Sequence, residues 1–424
     1  MQDMAGSKIG ADSEMPKIKQ TVNKILPWVV FVPTIIIVLV SITTIVFPAL
    51  IVIIASPFHA DVLETEVIDP FTPGYLAVPL IVINLVVLGI GVAYYKGKKA
   101  GSLVKRITSF EISKKQAAIG IIIILAIFCA VTAGTLAKEE TWEDYNRVKT
   151  RVQTWNISDF THSFEPHVRY LLLSASSHIF GNIRVIPFIT SIALLLLTYF
   201  FTANITQKKF AGIISMILLL QSDIFVSYST TASYDNSWII LYLFSLFLVQ
   251  KFWQSSPVPY FISIFSKALT VAFLPMSLYF IARSDLPGRS KIYSLASYGV
   301  IIILVAAFVA FRKILPGDGG FNDVEFWQGF TAMAMQMRFD YVILIFLLPV
   351  TVMLFFASRR GVLHADSMLI MILGVLITSP VLVAITNQTN EPYRFVSLSV
   401  FFAIGVGVLL SNRIRKQVEV SSSK

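Results

Sequence analysis

Four carboxylates crowd one short stretch of the chain, Glu139, Glu140, Glu143 and Asp144, and a further acid, Asp235, follows the unusually polar run from Tyr228 to Ser233. A carboxylate not spent on an ion pair can take the proton from an attacking hydroxyl, so these residues are candidates for a general base. Acids at a helix start also complement the helix dipole, and Ser233, Asp235 and Asn236 can cap the apolar helix that comes next. The cations to set against them are Lys267, which has no obvious aqueous loop, Arg394 within Asn390–Phe395, and Arg169 and Arg184. Such groups bind phosphates, or they anchor helix ends and snorkel to a membrane interface. Trp142, Trp155 and Trp327 can stack on sugar faces or serve as interfacial anchors. His162, His167 and His178 are spaced by 5 and 11 and share no helical face, and Cys129 stands alone. No disulfide, cysteine-built zinc site or other metal centre is expected, although a divalent ion held by the histidines and nearby acids is conceivable.

The elements that position these residues follow from composition. Of 424 residues, 56% are hydrophobic and 14% charged, and mean hydropathy is +0.75. An average soluble domain is about 45–50% apolar and about 25% charged. This excess of apolar surface calls for an all-α, polytopic membrane bundle. The net charge of +10 then records loop orientation rather than nucleic-acid binding.

Spans need about 20 mostly apolar residues. Ten such runs occur, at 27–55, 74–95, 117–137, 184–204, 210–228, 237–252, 293–312, 341–357, 367–386 and 393–411. An eleventh region, 257–282, is broken by Pro257, Pro259 and Pro275 around Lys267 and reads as a re-entrant hairpin. With both termini cytoplasmic, 23 of the 34 Lys and Arg fall on the cytoplasmic side, as basic residues do in membrane proteins. A single span at 257–282 would invert every later loop and expose Arg359, Arg360 and the basic tail outside. The chain thus divides into a cytoplasmic tail (1–26), a two-span unit with a basic loop (27–116), a core (117–312) with an external loop at 138–183, a second external loop and C-terminal spans (313–411), and a tail (412–424). Trp142, Tyr145, Val148, Val152 and Trp155 recur at helical spacing, which predicts a helix lying flat at the membrane surface. Pro166 is expected to open a second helix, 167–180. Near mid-span, Asp223 is expected to bond a neighbouring helix.

Four segments, taken in order, resemble the GT-C glycosyltransferases, which include the protein O-mannosyltransferases and the bacterial aminoarabinose transferases. They are the acidic loop with Phe164-Glu165-Pro166, then Phe180-Gly181 with Arg184 before Pro187, then Tyr228–Asp235, and last Ser266-Lys267 with Leu274-Pro275. The match covers residues 117 to about 312, and the two spans before it are an addition to the family core. The resemblance implies transfer of a sugar from a polyprenyl or dolichyl phosphate to a protein, glycan or lipid acceptor outside the cytoplasm, with inversion; nothing in the sequence requires a divalent metal. It places the base at Glu139 or Glu140, where the family usually has Asp, with Glu143 and Asp144 as alternatives. Asp235 would support that base or the acceptor, and Lys267 and Arg394, then Arg169 and Arg184, would hold the donor phosphate.

Two other classes fit the same sequence. A non-catalytic relative would bind a lipid-linked sugar or an assembly partner, a reading fed by Glu standing where Asp is usual. A transporter or lipid flippase would also use a broken intramembrane segment, although no inverted repeat is present.

Overall fold

A computed structural model describes residues 7–48, 50, 69, 71–95, 101–142, 144–161, 166–312, 322–386, 392–411 and 413–414. Its described residues are helical with no strand, arranged as α1 (Ser7–Val46), α2 (Ala77–Tyr95), α3 (Gly101–Ser109), α4 (Lys114–Leu136), α5 (Tyr145–Thr154), α6 (His167–Phe180), α7 (Val185–Thr206), α8 (Lys209–Leu220), α9 (Asp223–Ser227), α10 (Ser237–Lys251), α11 (Pro257–Ser266), α12 (Leu274–Arg283), α13 (Gly288–Arg312), α14 (Asp323–Met337), α15 (Tyr341–Arg359), α16 (Ala365–Thr386) and α17 (Val396–Leu409). Seven of these, α1, α2, α4, α7, α13, α15 and α16, are long and apolar enough to cross a bilayer, and the chain is an integral multi-pass membrane protein. The apolar α8, α10 and α17 are shorter. In its apolar window α16 is 65% buried whereas α13 is 17% buried, so α16 is central and α13 peripheral. A helix that is apolar all round yet largely uncovered by protein is suited only to lipid.

Local sequence sets the helix ends. Ser113 Oγ accepts from the Gln116 amide and Gln116 Oε1 from the Ser113 amide, a reciprocal cap that starts α4 three residues before the expected apolar run. Gly181, at φ 67°, closes α6 in the left-handed conformation that glycine tolerates best. The expected single span 210–228 is divided at Gln221, because Ser222 Oγ caps α9 through the Phe225 amide and also donates to Asp340. The buried acid of this region is therefore Asp340, at the start of α15, whereas Asp223 is exposed. The first span ends earlier than expected, at Val46, and residues 51–68 lie outside the described set. Within the second long loop, α14 packs on α16, an element that periodicity alone did not single out.

Contacts define two ends of the bundle. At one, Arg359 lies over Trp28, Arg360 over Tyr94, Arg413 pairs with Asp285, and Arg283 pairs with Asp366. Lys208 and Lys209 join this basic end through Thr108 and Glu111. At the other end, Ser266 Oγ lies 2.7 Å from Ser237 Oγ. Residues 257–283 accordingly rise beside α10, turn at Lys267, and return to the basic end at Arg283.

Small residues let the core helices approach closely. A Cβ on Gly407 of α17 would overlap Thr202 Cγ2 of α7 and Ser215 Oγ of α8. Gly407→Val is expected to destabilise the protein by about 1–3 kcal/mol, read as a lower unfolding temperature in detergent.

Candidate functional site

At the end opposite the basic cluster, α5, α6, the segment 233–238, the hairpin tip and Tyr393 surround a cavity of about 1030 Å³. That is at the upper end of the range for small-molecule sites, which suits a bulky headgroup. The acids lining it are Asp144 and Asp235, and the cations are Arg147, Arg151, Arg169 and Lys267.

Asp235 is held firmly. Its Oδ1 accepts from the Ser237 amide at 2.9 Å and from the Ser237 hydroxyl, and its Oδ2 is 3.0 Å from Arg169 Nε. Arg169 in turn donates to the carbonyls of Ala232, at 2.9 Å, and Ser233. Asp235 therefore both caps α10 and fixes an arginine in the cavity wall. Asp144 is less committed. It sits at the cap position of α5 without making a capping bond, and the Tyr234 hydroxyl donates to its Oδ2 at 3.2 Å. Of the two acids in the wall, it is the exposed one with a carboxylate oxygen still open.

Glu139 and Glu140 do not line the cavity. Glu139 has a side chain that is 77% exposed and reaches Lys149 Nζ at 3.6 Å. Glu140 is buried, and its two oxygens accept the amides of Ala232 at 2.8 Å and Ser233 at 3.1 Å, with Arg184 Nε 3.7 Å away. Arg184 also lies outside the wall. It donates to the carbonyls of Thr230 at 2.7 Å, Thr135 at 2.8 Å and Lys138, and to Thr230 Oγ1 at 3.2 Å. The pair is a buried bracket that ties the end of α4 to the 230–233 loop, and through that loop it places Tyr234 and Asp235. Glu143 lies outside the described residues.

Lys267 enters the cavity from the turn between α11 and α12. Its Nζ lies 3.6 Å from the Tyr393 ring centroid and 5.4 Å from that of Trp238, with no carboxylate within 4 Å among the described residues. Arg394 also lies near Tyr393, its Cζ 6.0 Å from the same centroid. It is 6% exposed, and its Nε and Nη1 have no hydrogen-bond partner among the described residues. Buried donors left unpaired cost about 1–3 kcal/mol each, more when charged, so an anion beside Tyr393 would be favoured.

The aromatic residues differ from expectation. Trp142 stacks on Tyr228 at 5.2 Å, and Trp155 Nε1 donates to His167 Nδ1 at 3.3 Å; neither lines the cavity. The rings that do include Tyr170, Tyr234, Trp238 and Tyr393, with Tyr234 stacked on Tyr393 at 4.4 Å. Both tyrosines stand one residue from an expected site residue, Tyr234 beside Asp235 and Tyr393 beside Arg394. Arg147 and Arg151 are not among the expected site residues, because a helix lying flat on the membrane would turn them to solvent. Its apolar face, Tyr145, Val148 and Val152, is instead buried against Leu173, Ile183 and Ala232, which turns the arginines toward the cavity. Trp142 precedes that helix and Trp155 caps its end, so the five residues do not form one helical face. Pro166 stands at the cap position directly before α6. Of the histidines, His167 is buried, His178 bonds the Ser174 carbonyl, and His162 lies outside the described residues. Among the described residues no three His, Cys, Asp or Glu side chains converge as metal ligands would.

Compared with known proteins, the chain matches no family model, no curated protein and no solved structure.

Proposed function

We propose that the protein is a GT-C type membrane glycosyltransferase, which moves a sugar from a polyprenyl-phosphate donor to an acceptor hydroxyl at the extracytoplasmic face. The observation that carries this reading is the hairpin tip, which brings the cation Lys267, with no carboxylate within 4 Å among the described residues, into the same cavity as Asp144 and Asp235. In the proposed topology α8, α10 and α17 cross the membrane with the seven longer helices, both termini are cytoplasmic, and the cavity opens outside. Charge asymmetry between the two ends supports that orientation.

In the reaction, the acceptor oxygen attacks the anomeric carbon while its proton passes to the Asp144 carboxylate. The bond from that carbon to the lipid phosphate oxygen breaks, and the phosphate leaves on the opposite face, so the configuration inverts. Lys267 and Arg394 receive the charge that develops on the leaving phosphate. Asp235 and Arg169 position the wall, and Tyr234 orients Asp144. No step is assigned to a metal. The assignment moves the base from Glu139 and Glu140 to Asp144, because Glu140 has both oxygens engaged by backbone amides and Glu139 points to solvent.

The same commitment of Glu140 favours, as a second reading, a non-catalytic relative that binds a lipid-linked sugar. Membranes supplied with radiolabelled polyprenyl-phosphate sugar separate the two. Under the enzymatic reading label reaches the acceptor, and Lys267→Met lowers the rate about 10²–10³-fold, as loss of one charge-stabilising donor does. Donor bound without any transfer by the unsubstituted protein would favour the second reading. Wild-type transfer by Lys267→Met would remove this lysine from the mechanism.

A further inference from the structure

The basic end carries a second cavity, remote from the first. There α1, α2 and α15 enclose a groove of about 560 Å³, walled by Trp28, Phe31, Val92, Val352, Phe355 and Phe356 and closed at its end by Arg359 and Arg360. Phe31 stacks on Phe355 at 4.0 Å, and Trp28 meets the same ring edge-on at 4.6 Å. Each arginine reaches across to a different helix. The Arg359 Cζ lies 5.5 Å from the Trp28 ring of α1, and the Arg360 Cζ 5.6 Å from the Tyr94 ring of α2. Both arginines are exposed, and no acidic residue lines the groove among the described residues. The sequence adds Lys96, Lys98 and Lys99 directly after α2.

A helix C-terminus favours cations, which accounts for two arginines ending α15. It does not account for the apolar trough that leads up to them, or for the rings on two other helices that set their direction. A soluble anion has no use for the trough, and an uncharged chain has no use for the arginines. A zwitterionic lipid would present its own cation to both guanidinium groups. Basic pockets between membrane helices at headgroup depth suit an anionic headgroup whose acyl chain continues along the apolar wall.

We propose that α1, α2 and α15 form a binding site for an anionic phospholipid, with its phosphate on Arg359 and Arg360 and an acyl chain in the trough beside Phe31 and Phe356. This assigns the two-span unit before residue 117 a role of its own, independent of any sugar chemistry.

The full-length protein, purified in detergent, would be titrated with phosphatidylglycerol, phosphatidylcholine or inorganic phosphate, and bound lipid would be counted by native mass spectrometry. Phosphatidylglycerol is expected to bind in preference to phosphatidylcholine. A juxtamembrane cation near an anionic headgroup is worth roughly fivefold in affinity, so the Arg359→Gln/Arg360→Gln protein is expected to bind phosphatidylglycerol about thirtyfold more weakly. Because both side chains are exposed, the unfolding temperature in phosphatidylcholine should be unchanged. Val352→Trp fills the trough and keeps both arginines, and it too is expected to lose the lipid. Equal binding of the two lipids, undiminished phosphatidylglycerol binding in either variant, or full competition by inorganic phosphate would each overturn the site.

Discussion

Asp144→Asn is expected to lower sugar transfer by about 10²–10⁴-fold, the range that follows loss of a general base, with donor binding largely retained. The substitution keeps the size of the side chain and its bond from the Tyr234 hydroxyl, which an amide oxygen accepts as well as a carboxylate does. It removes only the ability to take up a proton. The effect should therefore fall on kcat rather than on KM, and the cavity should keep its shape. Glu139→Gln is the control. Its partner Lys149 is a surface cation, and an exposed pair of this kind is worth about 0–1 kcal/mol. Transfer near wild type in Glu139→Gln beside a collapse in Asp144→Asn would separate the two acids. Unchanged turnover in Asp144→Asn would remove the proposed base.

Glu140→Ala is expected to destabilise the fold by about 3–5 kcal/mol, the scale on which breaking a buried, hydrogen-bonded ion pair acts. Two backbone amides and the Arg184 guanidinium would lose an acceptor at once, inside a region closed to water. The measurement is the unfolding midpoint in detergent, taken alongside transfer at a temperature where the variant is still folded. A structural bracket predicts a large drop in the midpoint, with transfer impaired because Tyr234 and Asp235 lose their position. A wild-type midpoint with transfer abolished would instead return Glu140 to the chemistry.

Burial separates these two acids, and no spacing in the sequence reports it. Glu139, Glu140 and Asp144 are neighbouring carboxylates, all near the start of a helix. Their fates diverge because the 230–233 loop, about ninety residues away, offers two free amides to one of them. The same applies to Trp142 and Tyr393. Both belong to segments rich in aromatic and charged residues, but only Tyr393, close to Lys267 and stacked on Tyr234, is part of the cavity. Where the apolar run was long and continuous, as over α4, α7, α15 and α16, helices formed close to their expected bounds. Where two polar residues interrupted an apolar run, as at Gln221 and Ser222, a hydroxyl made a cap and the helix divided.

Hydropathy is enough to make this chain a helical membrane protein, and the distribution of lysine and arginine leads to the expectation that residues 257–282 leave and return to one end. Both are sums over many residues, and such sums survive errors at any single position. Tertiary packing decided which carboxylate is open, which is locked against backbone, and which cation has no carboxylate beside it among the described residues. Those properties belong to contacts between segments far apart in the chain, where a shift of one hydrogen bond exchanges a reactive group for a structural one.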